Sequence, residues 1–126
     1  MRLSRYRSIG ELAELYPDIR IVMLHMGHGV YIQVAIKTVK LYDNIILETS
    51  GMPMHTKIRA VETIGENRVV YGSGIPFHHS SVELQRVKMA GLSEHQLQLV
   101  LHECGISFTL VKSPDELLEF DKVNYA

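Results

Sequence analysis

Three short apolar runs recur along the 126-residue chain, and each leads directly into a glycine-bearing turn. They are Ile19–Leu24 before Gly27 and Gly29, Ile45–Leu47 before Thr49-Ser50-Gly51, and Val69–Tyr71 before Gly72-Ser73-Gly74. Near-continuous aliphatic and β-branched runs of this length are what strands covered on both faces require. Amphipathic helices fall between them. Ile32, Ala35, Ile36 and Val39 share one helical face, with Gln33, Lys37 and Lys40 on the other, and Ile58, Val61 and Ile64 mark a second helix that stops at Gly65. Strand and helix in alternation predict right-handed crossovers, a parallel sheet and the α/β class, with a repeat of about two dozen residues as in a barrel or doubly wound sheet. A closed eight-stranded barrel takes roughly 200 residues, so one domain spanning 1–126 supplies about three of its eight units.

The remaining punctuation predicts flanking helices. Ser8-Ile9-Gly10-Glu11 reads as a capping box that starts a helix carrying Leu12, Leu15 and Tyr16, which Pro17 ends. Ser80-Ser81-Val82-Glu83 reads as a second box, with its helix ending near Gly91, and Ser93-Glu94-His95-Gln96 as a third, opening a helix through Leu97, Val100 and Leu101 to Gly105. Alternation of Ile106, Phe108 and Leu110 predicts a strand, with a continued helix as the alternative, and Ser113-Pro114-Asp115-Glu116 opens a terminal helix.

Composition excludes several classes. Thirteen Lys and Arg against fourteen Asp and Glu give a net charge of -1, which offers no basic footprint for nucleic acid. No apolar run approaches the roughly 18 residues of a membrane span, and the basic start lacks a signal sequence's apolar stretch. One cysteine, Cys104, excludes an internal disulfide, suits a reducing cytoplasm, and leaves metal binding to His and carboxylates. Its place near a helix end, without a cationic neighbour in sequence, marks it as a packing residue.

Ligands of parallel α/β folds bind at the carboxyl ends of the strands. Four of the seven histidines fall there, in His25-Met26-Gly27-His28 and in Phe77-His78-His79. His25 directly follows a strand, so its imidazole is placed to ligate a metal or to act as general acid or base; the bland alternative is a histidine that merely holds the turn. His28 is a further ligand candidate. Adjacent His78 and His79 point opposite ways in an extended segment, so at most one serves the site. Glu48 ends the second strand, either facing the cleft or held by a neighbouring cation. His55, His95 and His102 read as surface or packing residues. Gly72-Ser73-Gly74 hints at a phosphate cradle, but no P-loop Lys-Ser/Thr pair follows.

Leu15-Tyr16-Pro17-Asp18-Ile19-Arg20-Ile21-Val22-Met23-Leu24-His25-Met26-Gly27 resembles the sixth-strand segment of the amidohydrolase-related family, a group of metal-dependent TIM barrels that includes hydrolases and zinc-dependent decarboxylases. Asn44–Gly51 is similar to the seventh strand, and Ile64–Ser73 with Ile75-Pro76-Phe77 to the eighth. The resemblance implies partial TIM-barrel-like units, about three to four strands, equivalent to strands six to eight. It matches His25 to the histidine beside the metal that activates water or substrate. The eighth-strand motif reads Gly-Ser-Asp in the family, whereas here Gly74 replaces the aspartate that binds metal and handles a proton. The ligands of the first and fifth strands lie upstream of any segment here, and His102-Glu103-Cys104-Gly105 stands where an Asn-Ala segment is expected.

The implied activity is hydrolysis or decarboxylation of a small carboxylate- or amide-bearing substrate. His25 is its acid/base or ligand, Ser73 a shaping residue, and Glu48 and His79 accessory groups. A divalent metal, zinc first, is the cofactor the resemblance implies for an active chain, with no cofactor as the alternative; the residues themselves offer only an improvised ligand set of His25 and His28 with His78 or His79 as a third. Few strands leave open edges, which implies a homo-oligomer or a complementary barrel chain as partner. The alternatives are a non-catalytic oligomeric relative and a small α/β anion-binding domain.

Overall fold

The computed structural model describes residues 3–28 and 31–105. A helix α1 (Leu3–Leu15) leads to strand β1 (Ile21–Met23), helix α2 (Ile32–Leu41), strand β2 (Ile45–Glu48), helix α3 (Met54–Ile64), strand β3 (Val69–Val70), and helices α4 (Ser80–Lys88) and α5 (Glu94–Gln98). The three strands form a parallel sheet in the order β1-β2-β3, with Ile21 opposite Ile45, Met23 opposite Leu47, and Leu47 opposite Val69. The expected α/β architecture of βα units is present.

Register decides which side chains meet the helices. Ile21, Met23, Ile45, Leu47 and Val69 share one face, and they join Ala35, Ile36 and Val39 of α2 and Ala60 and Val61 of α3 in one core. Val22 and Val70 lie on the opposite face, where Val22 is 44% exposed. Glu48 occupies that second face at the end of β2, yet it is buried.

The amino-terminal ends of the strands are tied by polar side chains. The Asn44 amide donates to the carbonyls of Ala13, Tyr16 and Ile19 at 3.1, 3.1 and 2.9 Å, fixing the exit of α1. The Arg68 guanidinium donates to the carbonyls of Val39, Tyr42 and Ile45 and pairs with Asp43 at 3.3 Å. Both use carbonyls that helix ends and turns leave without intrahelical partners.

Several local expectations are corrected. Helix α1 starts at Leu3 rather than at Ser8, because nothing between Leu3 and Arg7 breaks a helix and the turn of the box is propagated upstream. Helix α4 starts at Ser80 without a side-chain cap, because Glu83 points into the interior toward Lys57 instead of back to the helix start. The Ser93–Gln96 box does form, with both reciprocal bonds. Beyond it the helix widens into a π-helical turn, Leu99–Glu103, rather than running regularly to Gly105, and the Val100 carbonyl accepts the Tyr71 N–H at 2.8 Å. Helix α3 ends at Gly65 with φ 87° but an extended ψ of 151°, not the left-handed cap expected. The strand expected at Ile106–Leu110 and the helix after Ser113 lie outside the described residues. No described helix is long and apolar enough to cross a membrane.

Candidate active site

The cleft of interest lies at the carboxyl ends of β1 and β2. Beyond β1 the chain makes a turn in which His25, Met26, Gly27 and His28 all have positive φ, at 53°, 47°, 76° and 67°. Only Gly27 adopts that region freely, and each of the other three costs about 1 kcal/mol or more. Two features hold the turn. Met26 is fully buried, and the His25 N–H donates to a Glu48 carboxylate oxygen at 3.0 Å.

Glu48 is the hub of this arrangement. Its carboxylate also accepts the Ser50 N–H at 2.6 Å and the Ser50 hydroxyl at 2.8 Å. It is therefore held by backbone amides and a hydroxyl, where the sequence offered a cation or an open cleft. Gly72 makes room for it: a Cβ on Gly72 would overlap the carboxylate and stand 2.8 Å from Glu48 Cγ. Gly72 thus serves a buried carboxylate, not a phosphate.

Ser50 transmits this order to the imidazole. His25 Nδ1 lies 3.0 Å from the Ser50 carbonyl and 2.9 Å from the Ser50 hydroxyl oxygen. A carbonyl only accepts, and the hydroxyl proton is already given to Glu48, so Nδ1 carries the proton in the neutral ring. The lone pair therefore belongs to Nε2.

The cleft beside it measures about 410 Å³ and is lined by His25, His28, Gly51, Met52, Pro53, Phe77 and His78. Three of the sequence candidates are thereby assembled, and His78 rather than His79 is the one turned inward. His79 is exposed, with Nδ1 2.7 Å from the Ser81 hydroxyl. The Ser73 hydroxyl accepts the Ile75 N–H at 3.4 Å, which shapes the turn without facing the cleft. Sequence reasoning offered Gly72 only as part of a phosphate cradle and did not single out Ser50 as a site residue. Ser50 stands only two residues from Glu48, but its bonds to His25, like the meeting of Gly72 with the carboxylate, join segments that sequence does not show as neighbours.

A second polar cluster lies behind the third strand. Fully buried Lys57 and Glu83 pair at 3.1 Å, and Arg86 reaches the other Glu83 oxygen at 2.7 Å. Burial alone pushes the Glu83 carboxyl up. The Lys57 hydrogen bond and charge, with those of Arg86, outweigh it and hold the pKa below the ordinary carboxylate value. Nearby Tyr71 is pushed up by burial and by the charges of Glu83 and Glu48, so its hydroxyl stays protonated and donates to the Ser80 carbonyl at 3.1 Å. Cys104 is buried with its thiol 3.1 Å from the Asn67 carbonyl, and burial raises its pKa, as suits a packing residue.

The amidohydrolase family profile matches residues 1–104. The chain belongs to the amidohydrolase family. A crystal structure of 2,6-dihydroxybenzoate decarboxylase complexed with 2,6-dihydroxybenzoate is similar in fold, with a TM-score of 0.65 at 15% identity. The alignment covers 77% of this chain and 36% of the decarboxylase, so the chain spans about a third of that protein's length. No curated protein matches the sequence significantly.

Family membership raises the question of a metal. A catalytic zinc takes three protein ligands and an open position. Here His25 Nε2 is available, but the Glu48 carboxylate is committed to three donors and Gly74 has no side chain. Among the described residues, no three His, Cys, Asp or Glu are grouped to hold a metal ion. The described residues therefore do not fit a zinc site by themselves.

Proposed function

We propose that this chain is the carboxyl-terminal, proton-handling part of an amidohydrolase-like enzyme that hydrolyses or decarboxylates a small carboxylate- or amide-bearing substrate. The observation that carries the reading is the His25 relay. Its Nδ1–H is bonded to Ser50, which Glu48 holds, so Nε2 stands ready at the cleft to take or return a proton. The Met52, Pro53 and Phe77 walls suit a compact apolar body, and imidazoles suit its polar group. Where a divalent metal takes part, this reading draws its remaining ligands from beyond the described residues. The half-exposed Val22 and exposed Leu24 beside the sheet support completion by a second copy or by a complementary barrel chain.

The test is turnover of small aromatic carboxylates and amides in the presence of zinc, 2,6-dihydroxybenzoate first, by wild type and His25→Ala. The expectation is turnover that His25→Ala abolishes with little change in Tm; an equally active variant overturns the assignment. A second reading, a non-catalytic oligomeric relative, is favoured by the bare Gly74 in place of the family's aspartate. Native mass spectrometry after zinc incubation separates the two. Retained zinc supports the enzyme, and a metal-free homo-oligomer without turnover supports the relative.

A further inference from the structure

The end of β3 presents no side chain at residue 74, yet the space above Gly74 is filled. A Cβ there would stand 2.7 Å from His78 Cδ2 and 3.5 Å from His78 Cβ, with Ser50 Cβ 3.1 Å away on the other side. The ring continues across to Gly51, where a Cβ would meet His78 Nε2 at 3.0 Å and His25 Nδ1 at 3.7 Å. One imidazole thus lies lengthwise from Gly74 to Gly51, and the second approaches the same glycine from β1. The backbone explains how. Gly74 has φ +67°, and its carbonyl accepts the N–H of both Phe77, at 2.9 Å, and His78, at 3.1 Å. This tight turn carries residue 78 back over residue 74. Both glycines are needed, because any side chain at either position would compete with the ring.

No hydrogen bond to another described side chain occupies the ring nitrogens of His78, whereas His79 is engaged by Ser81. His78 also lines the same cleft as His25. We infer that His78 is the second substrate-facing group of this cleft, supplying from four residues downstream the polar side chain that Gly74 lacks. The cleft then has three imidazoles in its lining, those of His25, His28 and His78, and no carboxylate. It is suited to a small anion whose carboxylate accepts a hydrogen bond from His78 while His25 Nε2 faces the reacting end. This inference rests on the proposed reading of His25.

The experiment follows the imidazole resonances of the whole chain by NMR during titration with 2,6-dihydroxybenzoate, in wild type, His78→Ala and His79→Ala. The expected result is a shift of both the His25 and His78 signals with one common Kd, weakened about tenfold or more by His78→Ala and unchanged by His79→Ala. A response of His25 with His78 silent, or unaltered binding by His78→Ala, overturns the role of His78 and leaves that of His25 standing. Silence of both rings overturns the two together. A ligand-free measurement tests the geometry. Gly74→Asp should lower Tm in both backgrounds, because the positive φ and the Ser50 contact remain, but clearly less in the His78→Ala background, where the ring is gone. An equal loss in both backgrounds refutes the placement of the ring.

Discussion

Gly72→Ala is the substitution that most directly probes the hub. The backbone at Gly72 does not lie in the left-handed region, so alanine meets no conformational barrier there. The new methyl instead overlaps the Glu48 carboxylate. Glu48 must then leave its place, and its bonds from His25 N–H, Ser50 N–H and the Ser50 hydroxyl are lost or stretched. Hydrogen bonds to a charged group contribute about 1.5 to 3 kcal/mol each, and the displaced carboxylate recovers part of that from water. The net cost is about 3 kcal/mol. With a urea m-value of about 1 to 1.5 kcal/mol/M for a domain of this size, the midpoint falls by about 2 to 3 M at unchanged m. In a Glu48→Ala background the carboxylate is gone and its space is open, so adding Gly72→Ala costs less than about 1 kcal/mol. The double-mutant cycle should therefore show a coupling of about 2 kcal/mol. Additivity within about 0.5 kcal/mol would refute the interlock of Gly72 with Glu48.

Three further outcomes follow from the same contacts. Nitrogen NMR of the neutral protein should report His25 with its proton on Nδ1, and an Nε2–H tautomer would contradict the Ser50 assignment. Lys57→Met leaves Glu83 buried with only Arg86 and should cost about 3 to 5 kcal/mol, read by urea denaturation; a loss under about 1 kcal/mol would show that water reaches the pair. Because the folded Glu83 pKa is lowered, its contribution is complete above the ordinary carboxylate pKa and is lost as pH falls through the folded value. Stability curves of wild type and Glu83→Gln should therefore converge at acid pH, and parallel curves would refute the linkage.

The strands and the helices α2 and α3 were legible because their apolar periodicity is the same physical fact as their burial. Ile32, Ala35, Ile36 and Val39 form one stripe in sequence and one contact surface on the sheet. Helix starts were legible only where capping stayed local. Ser93 and Gln96 close their own box, but Glu83 has a stronger partner 26 residues away in Lys57, and no local pattern registers it. The place of His25 beside the cleft was legible because it closely follows a strand. The roles of Ser50 and Gly72 were not, since Ser50 acts by reaching His25 beyond β1 and Gly72 by meeting the Glu48 carboxylate beyond β3. His78 stood in sequence beside His79 as an equal, and the Gly74 turn alone separates them.

The two ends of the sheet carry different obligations, which makes stability and the proposed activity separable. At the amino-terminal ends, Asn44 and Arg68 satisfy six carbonyls between them and touch no cleft residue. At the carboxyl ends, the positive-φ turn and the buried Glu48 carboxylate are costs in themselves, tolerated because they orient His25. An ordinary glycine turn would close the same connection with less strain, which supports the proposed role of a fixed imidazole. Asn44→Ala should accordingly lower stability by about 1 to 3 kcal/mol, through three carbonyls left with one donor fewer, while the His25 tautomer is retained. A tautomer change in Asn44→Ala would mean that the cleft depends on the whole sheet rather than on the Glu48 hub, and the division of labour between the two ends would fall.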